Sequence, residues 1–166
     1  MNSINKILMI IPSNTSGGAE RVMSQLANSF SNNGIKVKFV NFDNDSNFYH
    51  INELVDYTKL NLQFKSKTKF KKILEAPIIE VKRFFAIRKI IKDFKPDIVL
   101  PFLEMAELLT IPNCVSMKVP FCVSLRNDYD SYFVYMKILA KIFYSKSKLV
   151  FCQTEQVQRR LLESIN

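Results

Sequence analysis

The chain has 166 residues, 48% hydrophobic and 23% charged, a composition typical of a globular protein with a sizeable core. Its 24 Lys and Arg exceed its 15 Asp and Glu, and the formal net charge of +9 favours an anionic partner: nucleic acid, an anionic membrane surface or a phosphorylated substrate. The chain has no run of about 18 uncharged apolar residues, so no transmembrane helix is predicted. The N-terminus lacks the features of a secretory signal.

The first predicted elements are a strand, a helix and a second strand. The apolar run KILMII at 6–11 is typical of a buried strand, and apolar residues repeating every four positions predict a helix over 19–32. Gly34 suits the C-cap of that helix. The alternating segment IKVKFVNFD at 35–43 predicts the second strand. This order indicates a right-handed βαβ unit with a parallel sheet.

Strands and helices continue to alternate along the rest of the chain. The remaining predicted elements are a short strand within 55–64, a helix over 65–95 broken by Pro77, a strand at 94–103, a short helix at 105–115 followed by a breaker, a strand at 119–128, a helix at 132–147, a strand at 148–155 and a last helix from 157. This alternation predicts an α/β fold with a doubly wound, Rossmann-like parallel sheet in three layers, α/β/α.

Polar residues follow every main strand of this predicted sheet. They read SNTSGG, NFDND, LEMAE, RND and TEQ in chain order. Because doubly wound sheets bind ligands at the carboxyl ends of their strands, these segments are expected to form one site. Polar strand exits are also ordinary loop composition, which is the alternative interpretation.

The first of these exits, Ser16, Gly17 and Gly18, joins a strand to a helix. Glycines let the backbone approach a ligand, and a helix N-terminus favours an anion such as a phosphate. The alternative is a plain turn with Ser16 as N-cap. A dinucleotide site, with Asp43 on a ribose, is a further alternative, although SNTSGGAER does not fit G-x-G-x-x-G.

Four segments of the chain resemble known sequence motifs in the same order. The first is ILMIIPSNTSGGAERVMSQLANSFSNNGIKVKFVNFD, and the others are FKPDIVLPFL, PFCVSLRND and LVFCQTEQVQRRL. Together they resemble the N-terminal half of family 4 glycosyltransferases of the GT-B fold, which typically begins with a strand, a G-G-A-E-R turn and a helix. The resemblance spans nearly the whole chain.

The resemblance implies that this is the acceptor-binding half of a retaining glycosyltransferase, usually without a metal, and no cofactor is expected. Nothing resembles the half that binds the nucleotide sugar and carries E-x7-E. Residues 1–166 are therefore expected to form a single domain that is inactive alone. It is either a domain cut from a longer enzyme, a truncated gene product or one subunit of a split transferase. A non-catalytic, membrane-docking subunit is the alternative.

The resemblance also assigns roles to strand-exit residues. Gly17 and Gly18 are expected to face the cleft and meet donor phosphate or acceptor. Arg126 stands where many members carry a histidine, and because arginine stays charged it orients an anion or stabilises charge rather than acting as a base. Asn127 and Asp128 are candidates for sugar hydroxyls.

Three further residues complete the expected substrate site. Asp128 or Glu104 is the candidate contact of the accepting hydroxyl, and Arg126 and Asp128 are the catalytic candidates. Thr154 and Glu155 are substrate-binding candidates, with N-capping of the last helix as the alternative. No metal ligand is predicted, and His50, the single histidine, is expected at the surface.

Most of the excess charge lies between positions 65 and 95, which hold eleven Lys and Arg against three Asp and Glu. A basic helix with large apolar residues suits an anionic membrane surface and a lipid-linked acceptor. The membrane-surface candidates are Lys71, Lys72, Lys82, Arg83, Arg88 and Lys89. The alternative is a helix whose apolar side packs on the sheet and whose basic side is solvated. No nucleic-acid-binding motif is present, so nucleic acid is not the expected partner.

The cysteines complete the expectations. Cys114, Cys122 and Cys152 are an odd number without metal-like spacing, which predicts reduced, buried thiols. The expected location is cytoplasmic, peripheral to the inner face of the plasma membrane if the basic helix docks there.

Overall fold

A computed structural model of the chain describes residues 3–44, 48–64, 68–125 and 133–165. Its elements confirm the predicted alternation of strands and helices. They are β1 (Lys6–Ile11), α1 (Gly18–Asn32), β2 (Lys36–Asn41), β3 (Asp56–Lys59), α2 (Lys69–Phe94), β4 (Ile98–Pro101), α3 (Glu104–Met117), β5 (Cys122–Leu125), α4 (Val134–Phe143), a 3-10 turn (Tyr144–Lys146), β6 (Leu149–Cys152) and α5 (Glu155–Ile165).

All of these strands are parallel. Four form a sheet in the order β3-β2-β1-β4, and β5 pairs with β6 in a second ladder. A bridge between Val99 of β4 and Phe121, just before β5, brings the two ladders side by side. The chain moves outward from β1 to β3 and then crosses to β4 on the other side of β1. The point where the order reverses therefore lies between β1 and β4, and its carboxyl edge is where open α/β sheets bind ligands.

Helices cover both faces of the sheet. Leu8 and Ile10 of β1 face a core with α2, α3 and α4, whereas Met9 and Ile11 face a second core with α1. Successive side chains of a strand point to opposite faces, so a fully apolar strand such as β1 is buried on both. The arrangement is the predicted three-layer α/β/α domain.

Two helices contain a proline, and the helix predicted to break at Pro77 continues through it. Pro77 is within α2 and Pro112 is within α3. A proline removes one backbone hydrogen bond and crowds the carbonyl four residues earlier, yet packing on both sides of it can hold a helix together. In α2 the buried Ile87 and Ile91 fix the half that follows Pro77. The predicted break at Pro77 is therefore wrong.

The three cysteines are free thiols, as predicted. Cys114 and Cys122 are buried, but Cys152 is only half-buried. Burial raises the pKa of the Cys114 thiol to about 12, which keeps it protonated and unreactive at neutral pH.

Candidate functional site

The exits of β1 and β4 lie on either side of the point where the strand order reverses. After β1, Gly17 stands in extended conformation as the N-cap of α1, and no side chain caps this helix end. The alternative with Ser16 as a capping side chain is therefore wrong. The Ser16 carbonyl instead accepts a hydrogen bond from Tyr49 Oη at 3.1 Å. The first amides of α1 are thus left for solvent or a ligand.

The two glycines of this turn have different surroundings. A β-carbon on Gly17 would collide with the carboxylate of Glu20, whereas one on Gly18 would meet no heavy atom within 4 Å. Glu20 is 8% exposed, and its Oε1 accepts a hydrogen bond from Thr15 Oγ1 at 3.3 Å. Its negative charge at the helix N-terminus interacts favourably with the dipole of α1. Gly18 is therefore the open side of the turn.

The β4 exit contains a backbone outlier that the sequence did not reveal. Leu103, the N-cap of α3, has φ 71° and ψ 152°, a combination that residues with a side chain rarely adopt. Phe102 N–H donates to the Ile10 carbonyl at 2.8 Å and so ties this exit to β1. Glu104 follows as the first residue of α3 and is half-buried at the same edge. Sequence reasoning found Glu104 but had no signal for the strain at Leu103.

The other predicted site residues fall into two groups. Arg126, Asn127 and Asp128 lie outside the described residues, one to three positions after the last residue of β5. Thr154 Oγ1 accepts a hydrogen bond from Val157 N–H at 3.2 Å and so caps α5. Glu155, the first residue of α5, is exposed.

His50 is exposed, as predicted. It lies between β2 and β3, where its carbonyl accepts a hydrogen bond from Asn28 Nδ2 at 3.0 Å.

A buried carboxyl group next to β5 was missed by sequence reasoning. Glu107 of α3 is 1% exposed, and its Oε2 accepts a hydrogen bond from Tyr144 Oη at 2.7 Å. Its Oε1 accepts from the Ser124 backbone N–H at 3.4 Å. Burial raises the pKa of Glu107 to about 7, against the lowering effect of both hydrogen bonds. The available signal was a glutamate in an otherwise apolar helical segment, MAELLTIP.

Asp43, at the exit of β2, is held by a cation. Arg83 Nη2 lies 3.0 Å from Asp43 Oδ1, and Arg83 Nη1 lies 3.0 Å from Glu80 Oε1. The guanidinium also donates to the Leu62 carbonyl at 3.0 Å and lies 4.9 Å from the centre of the Phe42 ring. Asp43 is thus part of a structural network, which weakens its assignment to a ribose.

Two of the membrane-surface candidates are corrected by this packing. Arg83 is 5% exposed and contacts the segments that follow β2 and β3. Arg88 is half-buried, and its Nη1 donates to Ser116 Oγ on α3 at 2.9 Å. Lys82 and Lys89 are exposed as predicted, and the side chains of Lys71 and Lys72 lie outside the described part of the structure. A guanidinium reaches partners across the fold, so charge count alone cannot tell an inward arginine from an outward one.

The solvent side of α2 carries an apolar stripe. Its members are three or four positions apart, and each is more than half exposed: Phe70, Leu74, Ile78, Val81 and Phe85. This face is opposite the buried side of the helix, marked by Ile87 and Ile91. Within the described residues, no helix combines the length and apolarity needed to cross a membrane. We call this feature the α2 stripe.

An apolar groove of about 320 Å³ lies on the α1 face, beside the exits of β4, β5 and β6. Phe30 of α1, Phe102, Leu125 and the half-exposed Phe151 contribute to its walls. Both a domain cut from a longer enzyme and a docking subunit require an apolar surface near the strand exits, where the donor-binding half would pack.

Comparison with known proteins decides the family. The sequence profile of Glycosyltransferase Family 4 matches residues 16–166. The chain belongs to glycosyltransferase family 4. A protein of Campylobacter jejuni, the GalNAc-alpha-(1->4)-GalNAc-alpha-(1->3)-diNAcBac-PP-undecaprenol alpha-1,4-N-acetyl-D-galactosaminyltransferase, is 34% identical over 119 residues, which are 72% of this chain and 32% of that protein. The resemblance found in the sequence is thereby confirmed.

Solved structures share the fold of this family 4 chain. Anabaena HepE in complex with UDP and glucose has a TM-score of 0.61 at 15% identity over 98% of this chain and 41% of that one. The outer core galactosyltransferase WaaB has a TM-score of 0.63 at 14% identity, covering 96% and 42%. A putative UDP-N-acetylglucosamine 2-epimerase from Listeria monocytogenes has 0.64 at 16%, covering 98% and 43%. Because a galactosyltransferase and a putative epimerase share the fold, the fold alone does not select the reaction.

This chain is much shorter than the proteins it matches. It spans about a third of the curated relative and about two fifths of each of these structures.

Proposed function

We propose that this chain is the acceptor-binding half of a retaining glycosyltransferase. The enzyme transfers a sugar from a nucleotide-sugar donor to a saccharide or lipid-linked acceptor in surface polysaccharide synthesis, and this half is inactive alone. The observation that carries the proposal is the open glycine turn of a family 4 chain: Gly18 and the uncapped start of α1 lie at the edge where the strand order reverses.

The proposed chemistry joins the acceptor hydroxyl to the anomeric carbon of the donor sugar. The nucleoside diphosphate leaves with the electron pair of the broken bond, and the hydroxyl gives its proton to the departing phosphate oxygen. The α1 amides at Gly18 would meet donor phosphate or acceptor, where the helix dipole favours negative charge. Glu104, at the facing β4 exit, is a candidate for the accepting hydroxyl, and Asp128 is the other. Arg126 would orient an anionic group, since it cannot take up a proton.

We further propose that the α2 stripe docks on an anionic bilayer. Five apolar side chains on the solvent side of one helix, with exposed Lys82 and Lys89 on the same helix, have the composition of an interfacial amphipathic helix. The positive excess of the 65–95 segment complements anionic headgroups. The Campylobacter relative acts, by its name, on an undecaprenol-linked glycan, which is a membrane-bound acceptor. A docked α2 would place this domain next to such an acceptor at the cytosolic face of the membrane.

The alternative is a non-catalytic docking subunit that recruits a separate donor-binding protein. The apolar groove beside β4, β5 and β6 supports either version, since each requires a surface for the donor half. A dinucleotide-binding domain is the weaker alternative, because the Arg83 guanidinium already engages the Asp43 carboxylate.

The experiment is a transfer assay on the full-length product of the gene, with the 166-residue chain alongside. Both proteins are offered a panel of nucleotide sugars and polyprenyl-diphosphate-linked glycans. We expect transfer by the long form only. Transfer by the 166-residue chain would refute its inactivity, and a gene ending at Asn166 would favour the split subunit.

A matched pair of variants then tests the glycine turn in the active form. Gly18→Leu is expected to abolish transfer by filling the open side of the turn, and Gly18→Ala to retain it, because a β-carbon alone meets nothing there. Full activity of Gly18→Leu would remove the turn from the proposed site.

A further inference from the structure

Glu107 is a buried carboxyl group that the proposed chemistry does not employ. Its two oxygens connect three elements: Oε2 accepts from Tyr144 in the turn after α4, and Oε1 accepts from the Ser124 amide of β5. Tyr144 and Ser124 are themselves 2% and 3% exposed. The contact is therefore an internal junction between α3, β5 and the 3-10 turn.

The Ser124 amide lies beyond the point where β4 and β5 stop pairing. A bridge at Val99 and Phe121 connects β4 with the chain entering β5, and among the described residues the pairing of these two strands goes no further. Three positions after Phe121, the amide of Ser124 bonds to Glu107. The carboxylate thus takes the place that a carbonyl of β4 holds in a continuous parallel ladder.

The surroundings of Glu107 give its charge little compensation. Glu104, one turn earlier on α3, is a like charge that raises the pKa of Glu107 further, and burial raises it most. The buried residues of α4 are Met136, Leu139 and Ala140. On α2, the buried cation Arg83 is engaged by Asp43 and Glu80. The hydrogen bonds from Tyr144 and Ser124 are therefore the contacts that favour the ionised form.

We propose that Glu107 is a positioning residue for the carboxyl end of β5, and that its ionisation sets how firmly this strand end is held. The ionised carboxylate accepts charge-assisted hydrogen bonds from both donors, which are stronger than those of a neutral carboxyl. The inference rests on the proposed function in one respect: Arg126, Asn127 and Asp128, assigned to the acceptor side, follow β5 directly in sequence. Glu107 itself contacts no reactant and acts through the backbone of Ser124.

The first arm of the test is NMR on the 166-residue chain. The side-chain carboxyl of Glu107 and the amide of Ser124 are followed from pH 5 to pH 9, and we expect them to titrate with one midpoint near pH 7. Glu107→Gln should abolish the Ser124 titration. Tyr144→Phe, which removes a bond to the ionised form, should raise the midpoint by about one pH unit. Glu104→Gln should lower it, because it removes a like charge. A Ser124 amide that is indifferent to Glu107 would overturn the proposal.

The second arm measures kcat/KM against pH in the full-length transferase. In the wild type, we expect kcat/KM to rise with pH around the midpoint of the Glu107 titration. In Tyr144→Phe the same rise should occur at higher pH, and in Glu107→Gln it should be absent. An unchanged profile in both variants would show that the strand end does not depend on Glu107, and would also overturn the proposal. If the wild type transfers no sugar, the proposed function fails, whereas the NMR arm still decides the role of Glu107.

Discussion

The carboxylate of Glu20 occupies the space beside Gly17 that a β-carbon would need. Gly18, the next residue, has no heavy atom within 4 Å of the same position. The two adjacent glycines of this turn therefore differ: Gly17 accommodates an acidic side chain packed over the start of α1, and the space beside Gly18 is open.

Substitution by alanine should separate the two positions. Gly17→Ala is expected to lower the free energy of unfolding by about 0.5–1 kcal/mol, because the new methyl group displaces the Glu20 carboxylate, which is the flexible end of that side chain and can turn aside. Gly18→Ala should change it by less than about 0.5 kcal/mol or raise it slightly, since alanine favours the helical conformation. Urea unfolding of the two variants decides this, and equal losses at both positions would show that the turn is uniformly packed.

Breaking the Arg83 network should destabilise the fold. Arg83→Met removes the guanidinium that bonds to two partly buried carboxylates, Asp43 and Glu80, and the expected loss is about 3 kcal/mol. Lys82→Ala, at the exposed neighbouring position, is the control and should cost less than about 0.5 kcal/mol. Both are measured by denaturant unfolding. If Arg83→Met loses less stability than the control, Arg83 has no structural role and belongs with the exposed cations of α2.

Glu107 should make stability depend on pH. Its pKa is about 7 in the folded chain against 4.5 unfolded, so between these values the folded state binds more protons. The free energy of unfolding is therefore highest below pH 4.5 as far as this group is concerned, and it falls as the pH rises to 7, by about 3 kcal/mol in total.

The measurement compares wild type with Glu107→Gln from pH 4.5 to pH 8. Glu80, whose pKa is also raised by burial, contributes a slope of the same sign in both proteins and cancels in the difference. We expect the free energy of unfolding of the variant to increase relative to that of the wild type as the pH rises. Parallel pH profiles would mean that Glu107 does not titrate in this range.

The α2 stripe should bind anionic vesicles. The 166-residue chain is expected to sediment with phosphatidylglycerol–phosphatidylcholine vesicles and not with pure phosphatidylcholine. Lys82→Ala with Lys89→Ala should weaken binding about thirtyfold, since each cation near the surface contributes about 1 kcal/mol. Ile78→Asn with Phe85→Asn should reduce it by at least about tenfold, by removing apolar area.

Two variants outside the stripe serve as controls for vesicle binding. Leu54→Asn removes an equally exposed apolar residue, and Lys36→Ala removes an exposed cation at the start of β2. Both should bind like the wild type. If they weaken binding as much as the α2 changes do, the attraction is a general effect of net charge, and the stripe would then be a surface for another protein segment.

The strands and α1 could be predicted from the chain because their signals are local. KILMII is apolar at every position and became a central strand, and the helix predicted over 19–32 begins one residue earlier, at Gly18. The break predicted at Pro77 was wrong for the opposite reason, since packing against other elements decides whether a helix continues through a proline.

The candidate site was predictable only in part. The glycine turn and Glu104 were found because parallel strands bring their exits to one edge. Arg83 was misassigned because its partner Asp43 is 40 residues away in sequence. Glu107 was missed because its burial depends on Tyr144, 37 residues further along the chain.

The sequence by itself determined the alternation of strands and helices, the polar strand exits, the basic excess of 65–95 and the resemblance to family 4, because each is a pattern of neighbouring residues. The tertiary structure alone decided which arginines turn inward, which glycine is open and which glutamate is buried. Those outcomes depend on desolvation and on hydrogen bonds between segments far apart in the chain, and neither is expressed in local composition.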